Sequence, residues 1–329
     1  MNHQPNRKLP ARLTLVSMLV LMSIALTLPM LAKGFLLFQI TLVMIYAIAI
    51  LGLNLLVGFS GQLSLGHGAF FAVGAYTAAI LMGTYDLPYG IAIPAAGAVA
   101  FIFGFLFGLP ALRLEGVYLA MATFSLAVAM PQVLKMSALE QWTGGSQGLA
   151  VARPQAPAGL PLNEDQWLYY IALGTVLLLF LAARNLINSR SGLALLAVKE
   201  NPVAAKAMGV DIAMYKTLAF GLSAAFNGIA GALSAMAVQY IAPDSFTFYL
   251  SAFILVGLVV GGVGWLPGAF FGAVFVLIVP NLAETVSKGL SGAVYGAFLI
   301  ALIFFLPSGA STFRDLLSNR IRRKTGISN

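Results

Sequence analysis

Leu36-Leu37-Phe38-Gln39-Ile40-Thr41-Leu42-Val43-Met44-Ile45-Tyr46-Ala47-Ile48-Ala49-Ile50-Leu51-Gly52-Leu53-Asn54-Leu55-Leu56-Val57 runs without a charge into Gly58-Phe59-Ser60-Gly61-Gln62-Leu63-Ser64-Leu65-Gly66-His67-Gly68. The first part has the length that the hydrocarbon core of a bilayer demands, roughly 20 apolar residues rising about 1.5 Å each. The second part cannot continue that helix. It holds four glycines in eleven residues, and each costs about 1 kcal/mol relative to alanine in a helix interior. Beyond the break a second apolar run resumes at 67–83.

Runs of the same character lie at 13–32, 36–57, 67–83, 90–109, 117–136, 167–184, 216–240, 249–264, 267–282 and 291–307. An even number of crossings leaves both termini on one side. Only Trp265 and Leu266 separate 249–264 from 267–282, so one of that pair is open to a re-entrant reading. The expected fold is all-α, a polytopic transmembrane helical bundle of about 8–10 spans with Gly-rich broken or re-entrant helices. The expected layout is a tail at 1–12, one transmembrane domain at 13–307 and a basic tail at 308–329. The first run exceeds the usual apolar core of a signal peptide and lacks a clear small-residue cleavage site, so it reads as a retained helix.

Composition agrees. Hydrophobic residues make up 60% of the chain and charged ones 9%, against about 25% charged in soluble domains. Thirty-four glycines suit membrane helices. Cysteine is absent, which excludes disulfides, iron–sulfur clusters and thiol catalysis. His3 and His67 are the only histidines, so a His-rich metal site is excluded and no metal is expected.

The net charge of +8 reads as membrane orientation rather than nucleic-acid binding. With the N-terminus inside, 14 of the 18 basic residues fall in inside segments; only Lys33, Lys135, Arg153 and Lys288 fall outside. The positive-inside rule then places both termini in the cytoplasm. The basic tail at 320–324 is an orientation anchor in this reading. Two long polar stretches remain, an outside loop at 137–166 and an inside loop at 185–215. Loops of that length in a compact domain are usually functional or disordered.

The glycine break has two readings. As a break in the solute path, it is non-helical backbone lining a cavity. Ser64 would then cap the next helix, whose positive end could receive a carboxylate. The candidate path residues are Ser60, Gly61, Gln62, Ser64, Gly66, His67 and Gly68. As an ordinary turn, its glycines serve tight packing and His67 is a hydrogen-bonded structural histidine. Gly68-Ala69-Phe70-Phe71 recurs as Gly268-Ala269-Phe270-Phe271 after a second Gly-rich break, and paired interrupted segments point to transport sites in repeated folds.

The inside loop contains Lys199-Glu200-Asn201-Pro202-Val203-Ala204-Ala205-Lys206-Ala207-Met208-Gly209. Asn201 suits an N-cap, Pro202 the first helical position and Gly209 the position past the end. That predicts a short helix with Lys206 near its C-terminus. A second short helix is expected at 192–199 after Ser191. Ala204, Ala205 and Met208 form a small apolar surface that a partner's groove can accept.

Trp142, Trp167, Tyr169 and Tyr170 flank span ends and read as interfacial belt residues. Ionisable residues deep within spans are not found, which argues against a proton- or sodium-driven carrier. No nucleophile–base pair is evident, nor any G-x-x-x-x-G-K-[ST] phosphate loop. Another chain must therefore bind ATP if ATP drives the protein.

Several patches resemble the LivM-type permeases of branched-chain amino-acid ABC importers: Asn54 to Phe71 with Gly74-Ala75-Tyr76; Leu112 to Ala120; Thr143-Gly144-Gly145-Ser146-Gln147-Gly148-Leu149 in the outside loop; and Gly261-Gly262-Val263-Gly264 through Pro267-Gly268-Ala269. Glu200, Ala204, Ala205 and Gly209 resemble the segment through which ABC permeases dock on their ATPases, with four residues separating Glu200 from Ala204. The resemblance extends the candidate coupling set to Glu200, Asn201, Pro202, Ala204, Ala205, Met208 and Gly209. It adds Thr143, Gly144, Gly145, Ser146 and Gly148 as a periplasmic loop motif.

The resemblance implies a bacterial inner-membrane transport subunit that is not itself an enzyme and binds no cofactor, since partner subunits hydrolyse the ATP. It implies ABC ATPase subunits, a sister permease, a periplasmic solute-binding protein and membrane lipid as partners, and no nucleic acid. The expected solute is a branched-chain or related amino acid. Urea, short amides and aromatic acids are alternatives within the same importer type. A stand-alone channel or secondary carrier is the alternative outside it.

Overall fold

The computed structural model describes residues 23–32, 34–114, 116–157, 160–286, 291–305, 309–310 and 312. The tail at 1–12 and the start of the first apolar run lie outside the described residues, as does the basic tail apart from 309–310 and 312.

Lipid offers backbone amides no partners, so each apolar run closes its own hydrogen bonds as a helix. In order these are α1 (23–31), α2 (Phe35–Asn54) prolonged by one π-helical turn (Leu55–Phe59), α3 (His67–Gly83), α4 (Tyr89–Ala111), α5 (Val117–Leu134) and the short α6 (Glu140–Thr143). Then follow α7 (Glu164–Asn188), α8 (Arg190–Glu200), α9 (Pro202–Ala207), α10 (Ile212–Val238), α11 (Phe248–Gly261), α12 (Gly268–Val286) and α13 (Ser291–Phe305). Among the described residues the one strand pairing is short: β1 (Leu149–Ala150) runs antiparallel to β2 (Tyr240–Ile241), with Leu149 opposite Ile241. Among the described residues six helical stretches are long and apolar enough to cross a membrane. The chain is a polytopic helical membrane bundle.

Its centre is α2 and α10. Of their apolar stretches 78% and 72% are buried, against 28–33% for α4, α5 and α7, which form the outer wall. Glycine allows this centre to close. A Cβ on Gly74 of α3 would lie 2.0 Å from the Gly228 carbonyl of α10, and one on Gly231 would lie 2.0 Å from the Phe71 carbonyl. The two backbones thus touch with no side chain between them, the small-residue packing typical of membrane helices.

The far end of α3 approaches β1, where a Cβ on Gly83 would sit 3.9 Å from the Ala150 carbonyl. The opposite end carries α8 and α9. Helix α11 runs toward the α8–α9 end and turns tightly into α12: a Cβ on Gly261 would lie 2.2 Å from the Gly268 carbonyl. With 14 residues, α11 spans only about 21 Å. The 3-10 turn Pro243–Phe246 ahead of it completes a stretch long enough to cross.

Candidate functional site

The glycine break lies inside the bundle. Helix α2 ends in its π turn, residues 61–66 are mostly irregular, and α3 starts at His67. Gln62 Nε2 donates to the Lys216 carbonyl at 3.1 Å and to Ser60 Oγ at 2.6 Å. His67 Nε2 meets Ser223 Oγ at 2.6 Å. Lys216 is near the start of α10, and Ser223 lies roughly 16 Å along it at 1.5 Å per residue. The segment therefore climbs about 10 Å beside α10 before α3 begins. This is why α3 is shorter than the spans around it.

Every polar side chain of the break is sequestered: Ser60, Gln62, Ser64 and His67 are all buried. Ser64 Oγ lies 3.0 Å from His67 Nδ1 and accepts from the Gly66 amide at 3.3 Å. It does not cap α3, whose N-cap is Gly66 without a side-chain bond. The Gly68 amide is instead satisfied by Ser251 Oγ of α11 at 2.8 Å, and the Leu65 amide by Thr123 Oγ1 of α5 at 2.9 Å. Ser223 Oγ donates to the Gly52 carbonyl of α2 at 2.6 Å. His67 is thus hydrogen-bonded on both ring nitrogens, and α2, α3, α5, α10 and α11 meet around it.

The second break, 262–267, touches the first. Asn54 Nδ2 donates to the Trp265 carbonyl at 3.0 Å, and Asn54 Oδ1 accepts from the Gly264 amide at 2.8 Å. Gly262 and Gly264 have φ of +98° and +80°, conformations that favour glycine. The repeated Gly-Ala-Phe-Phe motifs open α3 and α12, so both follow a break, as their sequences suggested.

Helices α8 and α9 are capped by side chains. Ser189 Oγ accepts from the Gly192 amide, so α8 starts earlier than its sequence suggested, at Arg190. Asn201 Oδ1 accepts from the Ala204 amide at 3.0 Å, and Pro202 occupies the first turn of α9. The Val210 amide bonds the Ala205 carbonyl and the Gly209 amide bonds the Lys206 carbonyl, with Gly209 at φ +84°. That pair of bonds is a Schellman C-cap. Val203 and Met208 are 80% and 85% exposed, whereas Ala205 is buried. The outward apolar surface is therefore Val203, Ala204, Ala207 and Met208, with Ala205 as the inward anchor.

This loop is joined to the glycine break. Lys199 Nζ of α8 donates to the Gly58 carbonyl at 2.7 Å. Leu195 of α8 shares one apolar cluster with Leu56 of the π turn, Phe70 of α3 and Phe220 of α10. Beside them lies a cleft of about 160 Å³ lined by Ser60, Gly61, Gln62, Lys199, Pro202 and Lys216, among others.

Known proteins match this sequence along most of its length. The family model described as branched-chain amino acid transport system / permease component matches residues 35–305. The chain belongs to this permease family. The high-affinity branched-chain amino acid transport system permease protein LivM of Escherichia coli K12 is 34% identical over 292 residues, covering 82% of this chain and 68% of the relative. The protein of the same name from Salmonella typhimurium matches equally well. The probable branched-chain amino acid transport permease protein LivM of Methanocaldococcus jannaschii is 24% identical over 251 residues, 71% of each chain. No solved structure matches the chain.

At the other end of this permease, the motif from Thr143 to Gly148 is a packed turn. Thr143 Oγ1 donates to the Leu134 carbonyl at 2.8 Å. Gly144, Gly145 and Gly148 all have positive φ, and a Cβ on Gly148 would lie 2.1 Å from the Ile241 carbonyl. Tyr240 OH bonds the Gln147 carbonyl, and Ser146 is exposed. Tyr169, read as a belt residue, is instead buried and donates to the Ala25 carbonyl at 2.7 Å. Thr123, Ser223, Asn227 and Ser251 were not singled out from sequence. Their one signal is a polar side chain inside an apolar run, and all four are buried in the bundle.

Proposed function

We propose that this permease is the membrane-spanning subunit of an ATP-driven importer for branched-chain or related amino acids. In this reading α8 and α9 face the cytoplasm, with both termini, and receive the ATPase subunits. The β1–β2 end faces the periplasm and receives solute from a binding protein. A sister permease completes the membrane unit. The chain itself hydrolyses nothing, and its glycine breaks with their buried polar residues border the solute path.

The observation that carries the reading is α9: a six-residue helix capped at both ends, presenting Val203 and Met208 outward on a loop bonded to the Gly58 carbonyl. The names of the relatives and the 14-to-4 division of basic residues support substrate and orientation. The test is reconstitution of the chain with candidate ATPases, sister permease and binding protein in liposomes. ATP-dependent accumulation of labelled leucine is the expected result. Uptake by the chain alone, without ATP, would overturn it, and uptake of urea in place of leucine would overturn the substrate.

A further inference from the structure

We propose that Lys199 and Asn54 form a rigid two-link tether that moves both glycine breaks together with the α8–α9 loop, and so are positioning residues for translocation. The proposal rests on the reading of that loop as the ATPase-docking element.

The first link is the Lys199 bond to the Gly58 carbonyl, 2.7 Å long. Gly58 lies in the last turn of its helix, where carbonyls lose their intrahelical partners and the helix dipole favours a cation. Lys199 is exposed as a residue, yet its ammonium is turned back onto that carbonyl. Its stem also lies against the break: a Cβ on Gly61 would be 3.0 Å from Lys199 Cγ. The second link begins one helical turn earlier. Asn54 is fully buried, and its amide uses donor and acceptor on the Trp265 carbonyl and the Gly264 amide. A Cβ on Gly58 would lie 2.3 Å from Asn54 Oδ1 and 2.8 Å from the Gly264 nitrogen. The loop lysine, the first break and the second break are thus in direct contact.

The π turn is the element between the two links. Such turns carry one residue more than an α-turn and are frequent at functional sites. Leu195 and Leu56 in one cluster give the polar link an apolar footing. Displacement of α8 is therefore delivered to Gly58 and, through Asn54, to residues 264–265.

The test uses the complete transporter in proteoliposomes and reads labelled leucine taken up per ATP hydrolysed. Lys199→Met should lower that ratio about tenfold, the scale of ordinary coupling energies, with ATP hydrolysis little changed. Lys199→Arg, which keeps a long cationic donor, should restore it. Lys199→Gln serves the same test if the methionine variant does not insert. An unchanged ratio in Lys199→Met overturns the tether. Loss of the ATPases from purified Lys199→Met also overturns it, making Lys199 a docking residue. Absence of ATP-driven uptake in the parent complex overturns the underlying reading, and the tether with it.

Discussion

His67 Nε2 and Ser223 Oγ lie 2.6 Å apart although 156 residues separate them in the chain. Ser223 has one hydroxyl proton, and it goes to the Gly52 carbonyl. The imidazole must therefore donate through Nε2, which leaves Nδ1 to accept from the Ser64 hydroxyl. A neutral histidine in a single tautomer satisfies the whole chain of bonds.

Ser223→Ala removes both the acceptor for that N–H and the donor for Gly52. The buried imidazole N–H left without its acceptor costs about 1–3 kcal/mol, so thermal unfolding in detergent should begin several degrees lower. The variant His67→Ala, Ser223→Ala should lose less than the sum of its single changes, since groups in one network do not add. Strict additivity would show that the two side chains stabilise the bundle independently.

Gly209 ends α9 at φ +84°, and a Cβ there would meet nothing within 4 Å. Strain from the backbone, not crowding, is the expected penalty of Gly209→Val, about 1–2 kcal/mol for a left-handed L residue. Asparagine tolerates that conformation better. The expectation is that Gly209→Val inserts but loses uptake, while Gly209→Asn keeps most of it. Equal uptake by both variants would sever the link between the shape of this cap and transport.

The outward face of α9 separates docking from folding. Val203 and Met208 are exposed, and exposed substitutions usually move stability by less than about 0.5 kcal/mol. Val203→Glu with Met208→Glu should unfold like the parent yet fail to retain the ATPases on purification. Retention of the ATPases at parental levels would place their docking surface elsewhere.

Part of this arrangement could be read from sequence because it is local. The apolar runs, the glycine break and both ends of α9 depend on residues close together in the chain, and Asn201, Pro202 and Gly209 occupy the positions their chemistry suggested. What could not be read is the pairing. Ser223 and Ser251 are single hydroxyls in long apolar helices, and neither marks its partner until α3, α10 and α11 are packed. Ser64 had the chemistry of a cap but was drawn to His67 and the Gly66 amide, while Ser251 took the Gly68 amide. Tyr169 resembles a belt residue by position; only its contact with α1 reveals a buried one. Depth was hidden as well, because the climb of the break beside α10 depends on contacts that no periodicity encodes.

Asn54 offers a last prediction, on the second break. Asn54→Leu keeps the branched shape of the side chain, though not its volume, and leaves the Gly264 amide and the Trp265 carbonyl without the bonds they now make. Gly264 lies partly open to solvent, so water would recover some of the loss and the cost should be about 1–2 kcal/mol rather than the full burial penalty. Its effect should also be local, because residues 262–267 are irregular backbone with few helical bonds of their own. Hydrogen exchange in a peptide spanning 262–270 should accelerate, while one from the middle of α2 stays slow. Equal acceleration in both would mean that Asn54 supports the centre of the bundle as a whole and does not hold the second break in particular.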